Sequence, residues 1–386
     1  MTAPHSASRA ELGPLTGLRV LEVATLYAAP QIATMLADLG ADVVKVEPPQ
    51  GDPMRAMGQR RGGRSVAWEL VGRNKRSIVL DLERADGDDR ATFGRLVEAA
   101  DVLVENLPTH VRERWGCTSD DLAGINSRLA VVSVSCYGRA GPYSERPGAG
   151  TLAEAFAGLT HMTGEPDGPP MLASVAIGDT ITAFSGVIGA LAACWGRDAR
   201  GRGGAFVDVS MYEPVLAIMA STLAGWDGES PAPTRNGSRV HGGVPRNVYR
   251  TADDRYVAVS GTTDAQVGRV LEMIGRATPE DHARFGAAAA RLVVGDELDG
   301  LVAAWVGHHD RDEVVAALLD ARVGVSPVND VADVLADAHI VDRESVVHIG
   351  DVVVPSPLPR ISGHRREPSP APALDADREA VLADWC

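Results

Sequence analysis

The chain has 386 residues, 45% of them hydrophobic, and a formal net charge of −15. Its length and apolar content suit two or three domains with real cores, and its acidic balance argues against nucleic acid, whose phosphates call for a basic face. Four cysteines (Cys117, Cys136, Cys194 and Cys386) form no CxxC pair, so neither a zinc site nor a disulfide framework is indicated.

The first residues, MTAPHSASRAELGP, lack the apolar core of a signal peptide, and a cytoplasmic protein is expected. LRVLEVA (Leu18–Ala24) reads as a strand, PQIATMLADLG (Pro30–Gly40) as a helix that opens on Pro and closes on Gly, and ADVVKVE (Ala41–Glu47) as a second strand. That is a βαβ unit with a right-handed parallel crossover. RSIVLDL (Arg76–Leu82), a helix through RLVEAA and DVLVENL (Asp101–Leu107) repeat the pattern. LAVVSVS (Leu129–Ser135) and FVDVS (Phe206–Ser210) add two strands, the last running into helical MYEPVLAIMA. The fold class is therefore α/β, with a mostly parallel sheet covered on both faces. No glycine occurs from Leu18 to Pro30, so the GxGxxG turn of nicotinamide and flavin enzymes is absent. GRGG at Gly201–Gly204 lacks the Lys-Ser/Thr of a phosphate loop and reads as a tight turn.

VAIGDTITAFSGVIGALAAC (Val175–Cys194) carries one acidic residue, Asp179, in an otherwise uncharged small and apolar run. A buried carboxylate without partners costs several kcal/mol, so it needs a reason. Read locally, Asp179 stands where an N-cap belongs, before a helix from Ile181 to Ala193. The uncharged run Thr180–Gly196 reaches only the short end of membrane-span length and is rich in small residues, which reads as a buried helix of a soluble fold, with no membrane partner.

After Ser221 a Gly/Pro/Ser-rich passage reads as a linker, residues 222–246. VYRTADDRYVAVSG follows as a hairpin, with helices near Asp264–Ile274 and Leu298–Trp305, and residues 247–328 form a smaller α+β domain. In His308-His309-Asp310 the Asp caps the helix VVAALLDA with Glu313 completing a capping box, which explains the group better than a metal site. Helical VADVLADAHI, extended DVVVPSPLPRI and a helix near Asp375–Asp384 end the chain. Only two lysines occur, Lys45 and Lys75, and the other 35 of the 37 basic residues are arginine. Two lysines surviving where arginine is the default hint at a local need, such as a phosphate partner.

GLRVLEVATLYAAPQIATMLADLGADVVKVEPPQGDPMR, NKRSIVLDL, ADVLVENL, INSRLAVVSVSCYGRAGPYSERPG and AIGDTITAFSGVIGALAA together resemble the family III CoA-transferases of the CaiB/BaiF type, which include carnitine, bile-acid and formyl-CoA transferases. VGVSPVNDVADVLADAHIVDRE continues the likeness, which spans about Pro14 to Trp385. The resemblance implies an interlocked homodimer. Each subunit would have a large Rossmann-like CoA-binding domain (residues 1–221, completed by 329–386) and a smaller domain joined by long linkers. It implies an acyl-CoA and a carboxylic acid as substrates, and no permanently bound cofactor or metal.

The same resemblance makes Asp179 of the Gly178-Asp179 pair the nucleophile, passing through a mixed anhydride and an aspartyl-CoA thioester. The helix N-terminus would keep it ionised, and Gly178 would let the CoA arm approach. CoA is expected along Tyr27 and Ala28, along Leu80, Asp81, Leu82 and Glu83, and along Asn106, Leu107 and Pro108, with Arg114 on its phosphates. Lys75 is either a CoA contact or a surface charge beside its strand. Arg55, Arg76 and Arg112 are possible helpers. Some residues depart from the family pattern. Tyr27 stands where formyl-CoA:oxalate enzymes have Gln, and their glycine-rich loop is missing near Gly242-Gly243, which weighs against small oxalate-like substrates. Ala149-Gly150 replaces the His-Asp pair of α-methylacyl-CoA racemases, and the C-terminal signature is reduced to LDAD (Leu374–Asp377). A racemase or epimerase and an inactive CoA-binding homologue are the alternatives.

Overall fold

The computed structural model describes residues 13–84, 87–240, 242–364 and 367–386, so the reading of residues 1–12 lies outside it. Six apolar runs pair in parallel: β1 (Arg19–Val23), β2 (Asp42–Glu47), β3 (Lys75–Val79), β4 (Val102–Glu105), β5 (Ala130–Ser135) and β6 (Ala205–Ser210). Their order is β3-β2-β1-β4-β5-β6, so the winding reverses between β1 and β4. In doubly wound α/β sheets ligands bind at that reversal, beyond the carboxyl ends of the strands. The inner strands β1, β2, β4 and β5 are almost wholly buried, as strands covered on both faces are. Val20 and Leu21, like Val43 and Val44, face opposite sides, and all four are at most 1% exposed.

The helices around this sheet include α1 (Ala28–Asp38), α2 (Asp88–Ala99), α3 (Thr109–Trp115), α4 (Ser119–Ile125), α5 (Gly150–Phe156), α6 (Ile177–Arg200) and α7 (Tyr212–Ile218). On one face Ile32 and Leu36 of α1 and Ala183 and Ala190 of α6 pack with Val20, Val102 and Val132. On the other, Leu96 and Val97 of α2 and Leu122 of α4 pack with Leu21, Val44 and Ile78. The small residues of α6 are a packing surface: a Cβ at Gly186 would run into Ile32 of α1, and one at Gly189 into Val207 of β6.

The expectation of a buried α6 needs correcting. Within this chain its other side carries Phe184, Ile188 and Trp195, the last two 69% exposed. By length and composition alone it could cross a bilayer.

A second compact unit comprises the described residues of His161–Met171 and Pro231–Ile340. The expected hairpin is β7 (Arg246–Arg250) and β8 (Tyr256–Ser260), and β9 (Gly324–Pro327) adds an unexpected third antiparallel strand beside β8. Val270, Val302 and Leu318, from α8 (Asp264–Met273), α9 (Gly295–Val306) and α10 (Arg311–Asp320), are fully buried in its core with Val257. Asp310 and Glu313 form the capping box that begins α10.

The first unit comprises the described residues of Met1–Thr160, Leu172–Ser230 and Val341–Cys386. Its last helix, α11 (Arg378–Trp385), lies against β3, and Trp385 Nε1 donates to Asp42 at 2.9 Å. Inside LDAD, the carboxylates of Asp377 and Asp375 accept the Ser77 and Val79 N–H groups at 2.8 and 2.7 Å. Those donors sit on an outer strand with no further neighbour, where unpaired groups are a liability.

Candidate active site

The turn from β1 to α1 is held from beneath by buried charges. Glu22 of β1 and Lys45 of β2 are register partners, and Lys45 Nζ donates to Glu22 at 2.6 Å and to the Ala24 carbonyl at 2.7 Å. Asp52 lies 2.8 Å from the same ammonium. Lys75 Nζ donates to the other Glu22 oxygen at 2.5 Å and to the Pro30 carbonyl at 2.8 Å. All four side chains are at most 1% exposed, and two ammoniums against two carboxylates leave no net buried charge. Burial pushes Lys75 down to about 8 against the pull of Glu22. It also opposes Lys45, which Glu22 and Asp52 nonetheless hold above its ordinary value.

The loop after β4 grips the same turn. The Asn106 amide accepts the Thr25 N–H at 3.0 Å and donates to the Thr25 carbonyl at 2.8 Å. Between these anchors Leu26 adopts φ +68°, a left-handed conformation unusual for a non-glycine residue and found where surroundings over-determine the backbone. It immediately precedes Tyr27. The surface-charge reading of Lys75 is thus corrected: its side chain is buried, with the ammonium bonded to Glu22 and to the Pro30 carbonyl in the first turn of α1.

The three expected CoA segments follow β1, β3 and β4, and so emerge at one edge of the sheet, beyond the strands' carboxyl ends. Ala28, Leu80, Leu82 and Leu107 are buried there, leaving mainly backbone to offer a ligand. Glu83 and Pro108 are exposed, while Tyr27, Asp81 and Asn106 are partly so. Arg114 on α3 is exposed and pairs with Glu83 at 2.7 Å. The possible helpers are otherwise engaged. Arg55 is on Glu47, Arg76 on Asp42 and Asp384, and Arg112 on Glu105.

Asp179 is not the N-cap. Helix α6 begins at Ile177 after Ala176, which places Asp179 third in the first turn. The capping function comes from α5, where the Glu154 carboxylate, 1% exposed, accepts the Gly178 N–H at 2.8 Å. Positions 150 and 178 mark where α5 and α6 touch. A Cβ on Gly178 would lie 2.7 Å from the Gly150 carbonyl, and one on Gly150 would overlap the Asp179 carboxylate. The expectation that Gly178 makes room for CoA is therefore corrected: its missing side chain makes room for α5.

The Asp179 carboxyl is pushed up to about 6, first by burial and then by the Glu154 charge, with its own backbone N–H pulling the other way. These effects outweigh the expected helix-terminus contribution, yet the group remains mostly ionised at neutral pH. Thr182 Oγ1 donates to the Gly178 carbonyl at 2.6 Å, securing the turn from the next one. The Cys136 thiol is a further neighbour, pushed up by burial, and donates to the Ala149 carbonyl. Phe156, at the end of α5, lies edge-on to Tyr137, Tyr143 and Tyr212 with centroids 5.2 to 5.9 Å apart, and is 49% exposed. A partly buried carboxylate that is poorly solvated, ionised at neutral pH and reachable from solvent is chemically a nucleophile. Sequence reasoning missed Glu22, Leu26, Asp52 and Glu154, all of which act through contacts distant in sequence.

CoA-transferase family III matches residues 15–378 of the chain. The succinyl-CoA–D-citramalate CoA-transferase of Chloroflexus aurantiacus is 34% identical over 356 residues, 90% of this chain and 88% of that one. The acetyl-CoA:oxalate CoA-transferase of Acetobacter aceti is 32% identical over 377 residues, 97% of this chain and 96% of that one. Among solved structures, a CAIB/BAIF family protein from Brucella suis aligns with a TM-score of 0.85 at 29% identity, covering 97% of this chain and all of that one.

Proposed function

Because the chain belongs to CoA-transferase family III, we propose that it moves coenzyme A from an acyl-CoA to a free carboxylate by covalent catalysis on Asp179. The carboxylate attacks the thioester carbon, an O–C bond forms, and the C–S bond breaks with its electron pair leaving on the CoA thiolate. The thiolate then attacks the Asp179 carbonyl of the mixed anhydride, giving an aspartyl-CoA thioester and releasing the first acid. A second acid reverses these steps and departs as its CoA ester. Splitting the exchange this way keeps the thioester's energy in the enzyme and out of water.

The observation that carries the reading is the placement of Asp179: first turn of α6, partly buried, with the adjacent amide held by Glu154. The strand order supports a Rossmann-like domain, in which Tyr27, Asp81, Glu83 and Asn106 would meet CoA at the carboxyl edge and Arg114 its phosphates. Gly150, where a side chain would strike Asp179, favours a transferase over a racemase needing a second proton-transfer group there. The working form is an interlocked homodimer, in which a second copy covers Phe184, Ile188 and Trp195. Named relatives act on succinyl-CoA or acetyl-CoA with D-citramalate or oxalate, so short dicarboxylates form the first acceptor panel, with oxalate included as the member that Tyr27 and the missing glycine-rich loop weigh against.

Trapping with hydroxylamine after acyl-CoA addition, followed by peptide mapping, tests the mechanism. Modification at Asp179, lost in Asp179→Asn, is expected. Exchange of the substrate's α-proton for solvent deuterium with Asp179 unmodified would indicate a racemase instead, and saturable CoA binding with neither would indicate an inactive homologue. Mass photometry should show only dimers at nanomolar concentration, and a folded monomer would refute the interlocked form.

A further inference from the structure

We propose that Glu154 is a positioning residue for Asp179: its carboxylate fixes the first turn of α6 through the Gly178 N–H, and its negative charge makes the neighbouring carboxylate a stronger nucleophile. The proposal rests on the reading of Asp179 as the attacking group. Glu154 is 1% exposed and follows Gly150 by four residues, hence on the same face of α5, and Gly150 is the position that touches the Asp179 carboxylate. With only hydrogen at position 150, α5 brings its nearest charge to the site from one turn further on. A carboxylate buried without a cation needs a reason, and the Gly178 amide alone would be equally well served by a neutral side-chain carbonyl. What a neutral group cannot supply is charge.

The charge acts on the attack itself. Asp179 gives an electron pair to the thioester carbon as the C–S bond breaks toward the CoA thiolate, and negative charge leaves the Asp179 oxygen in the process. A second negative charge nearby raises the energy of the ionised nucleophile and less so that of a transition state whose charge has moved toward sulfur. The raised Asp179 carboxyl is consistent with this.

Among the described residues, no other group around Asp179 is placed to do the same. Helix α1 brings one titratable group, Asp38, which sits at its far end paired with Arg73. The segment after β5 contributes the Cys136 thiol, held neutral by burial. On β6, Asp208 accepts the Arg139 N–H, and in α7 Glu213 accepts from Ser210. Arg146 faces the ring of Tyr143.

The test compares Glu154→Gln and Glu154→Asp by pH dependence of kcat and KM for CoA exchange, with Asp179→Asn as reference. Gln keeps the acceptor for Gly178 and loses the charge, so the variant should fold and bind acyl-CoA with unchanged KM. Its acid limb should move down by about half a pH unit or more, and kcat on the alkaline plateau should fall roughly three- to ten-fold. Asp keeps the charge on a shorter arm, so its acid limb should stay near that of the natural protein even if kcat drops through looser positioning. A Glu154→Gln profile superimposable on the natural one, or the same displacement of the acid limb in both variants, would overturn the proposal. Transfer surviving in Asp179→Asn would instead overturn the parent reading, whatever Glu154 does.

Discussion

Replacing Asp179 by Asn should make the protein inactive and more stable, with the gain dependent on pH. The carboxyl is raised from its ordinary 3.8 to about 6 in the fold. Between those values the folded chain holds a proton that the unfolded chain has released. Above the upper value the fold carries an ionised group that the unfolded chain solvates better, so stability from this group is full below 3.8 and lost as pH rises through about 6. At about 1.4 kcal/mol per pKa unit the displacement corresponds to roughly 3 kcal/mol. Asp179 is partly exposed, and screening reduces this to about 1–2 kcal/mol. Asn, which cannot ionise, recovers that amount. Thermal unfolding at pH 8 should show a Tm about 2–4 °C higher for Asp179→Asn, with the difference shrinking to about a third by pH 4.5 and toward zero only below the unfolded value of 3.8, while exchange activity falls by several orders of magnitude. Asp179→Ala should be stabilised similarly, since α6 draws its cap from Glu154 rather than from Asp179. A Tm at pH 8 equal to or below that of the natural protein, or a difference that ignores pH, would refute the argument and return Asp179 to a structural role.

Lys75→Met strands Glu22 opposite a single ammonium and should cost about 3–5 kcal/mol, read as a lower denaturant midpoint. An unchanged midpoint would mean that the buried network holds nothing. Gly150→Ala pushes a methyl group into the Asp179 carboxylate and should lower kcat about 100-fold in a folded protein. A natural rate would show that the carboxylate is not confined there. Asn106→Ala frees the Thr25 N–H and carbonyl, so KM for acyl-CoA should rise roughly three- to ten-fold with kcat less affected. An unchanged KM would separate the turn from CoA binding.

The large sheet was legible because strands buried on both faces need apolar side chains in both directions, and runs such as VVSVS and DVLVE show it directly. The start of α6 was not. Asp179 after Gly178 looks like a cap, and nothing local says that the cap arrives from Glu154, 24 residues earlier, on a helix hidden in RPGAGTLAEAF. Strand β9 was missed because GVSP is short and closes on Pro, and it is a strand only because β8 offers it an edge. The buried charges left a trace that a bolder reading could have used. Glu22 interrupts LRVLEV and Lys45 interrupts DVVKVE, opposite charges in two apolar strands that had already been paired. What sequence spacing could not give was that Asp52 and Lys75 join this pair, or the backbone turn that the cluster holds.

The two lysines have one more consequence, for the protein's covalent life among its substrates. Acyl thioesters and mixed anhydrides react with any free amine they meet, and ε-amino groups on a protein surface are their usual victims. This chain has two such groups, and both lie inside the sheet layer as hydrogen-bonded ammoniums. Arginine, which carries the rest of the positive charge, does not acylate under these conditions. A protein proposed to generate activated acids in its own active site thus offers them no lysine to scar. Intact-mass analysis after prolonged exposure of the folded protein to acetic anhydride at mild pH should find both Lys45 and Lys75 unmodified, and denaturant should be needed to uncover them.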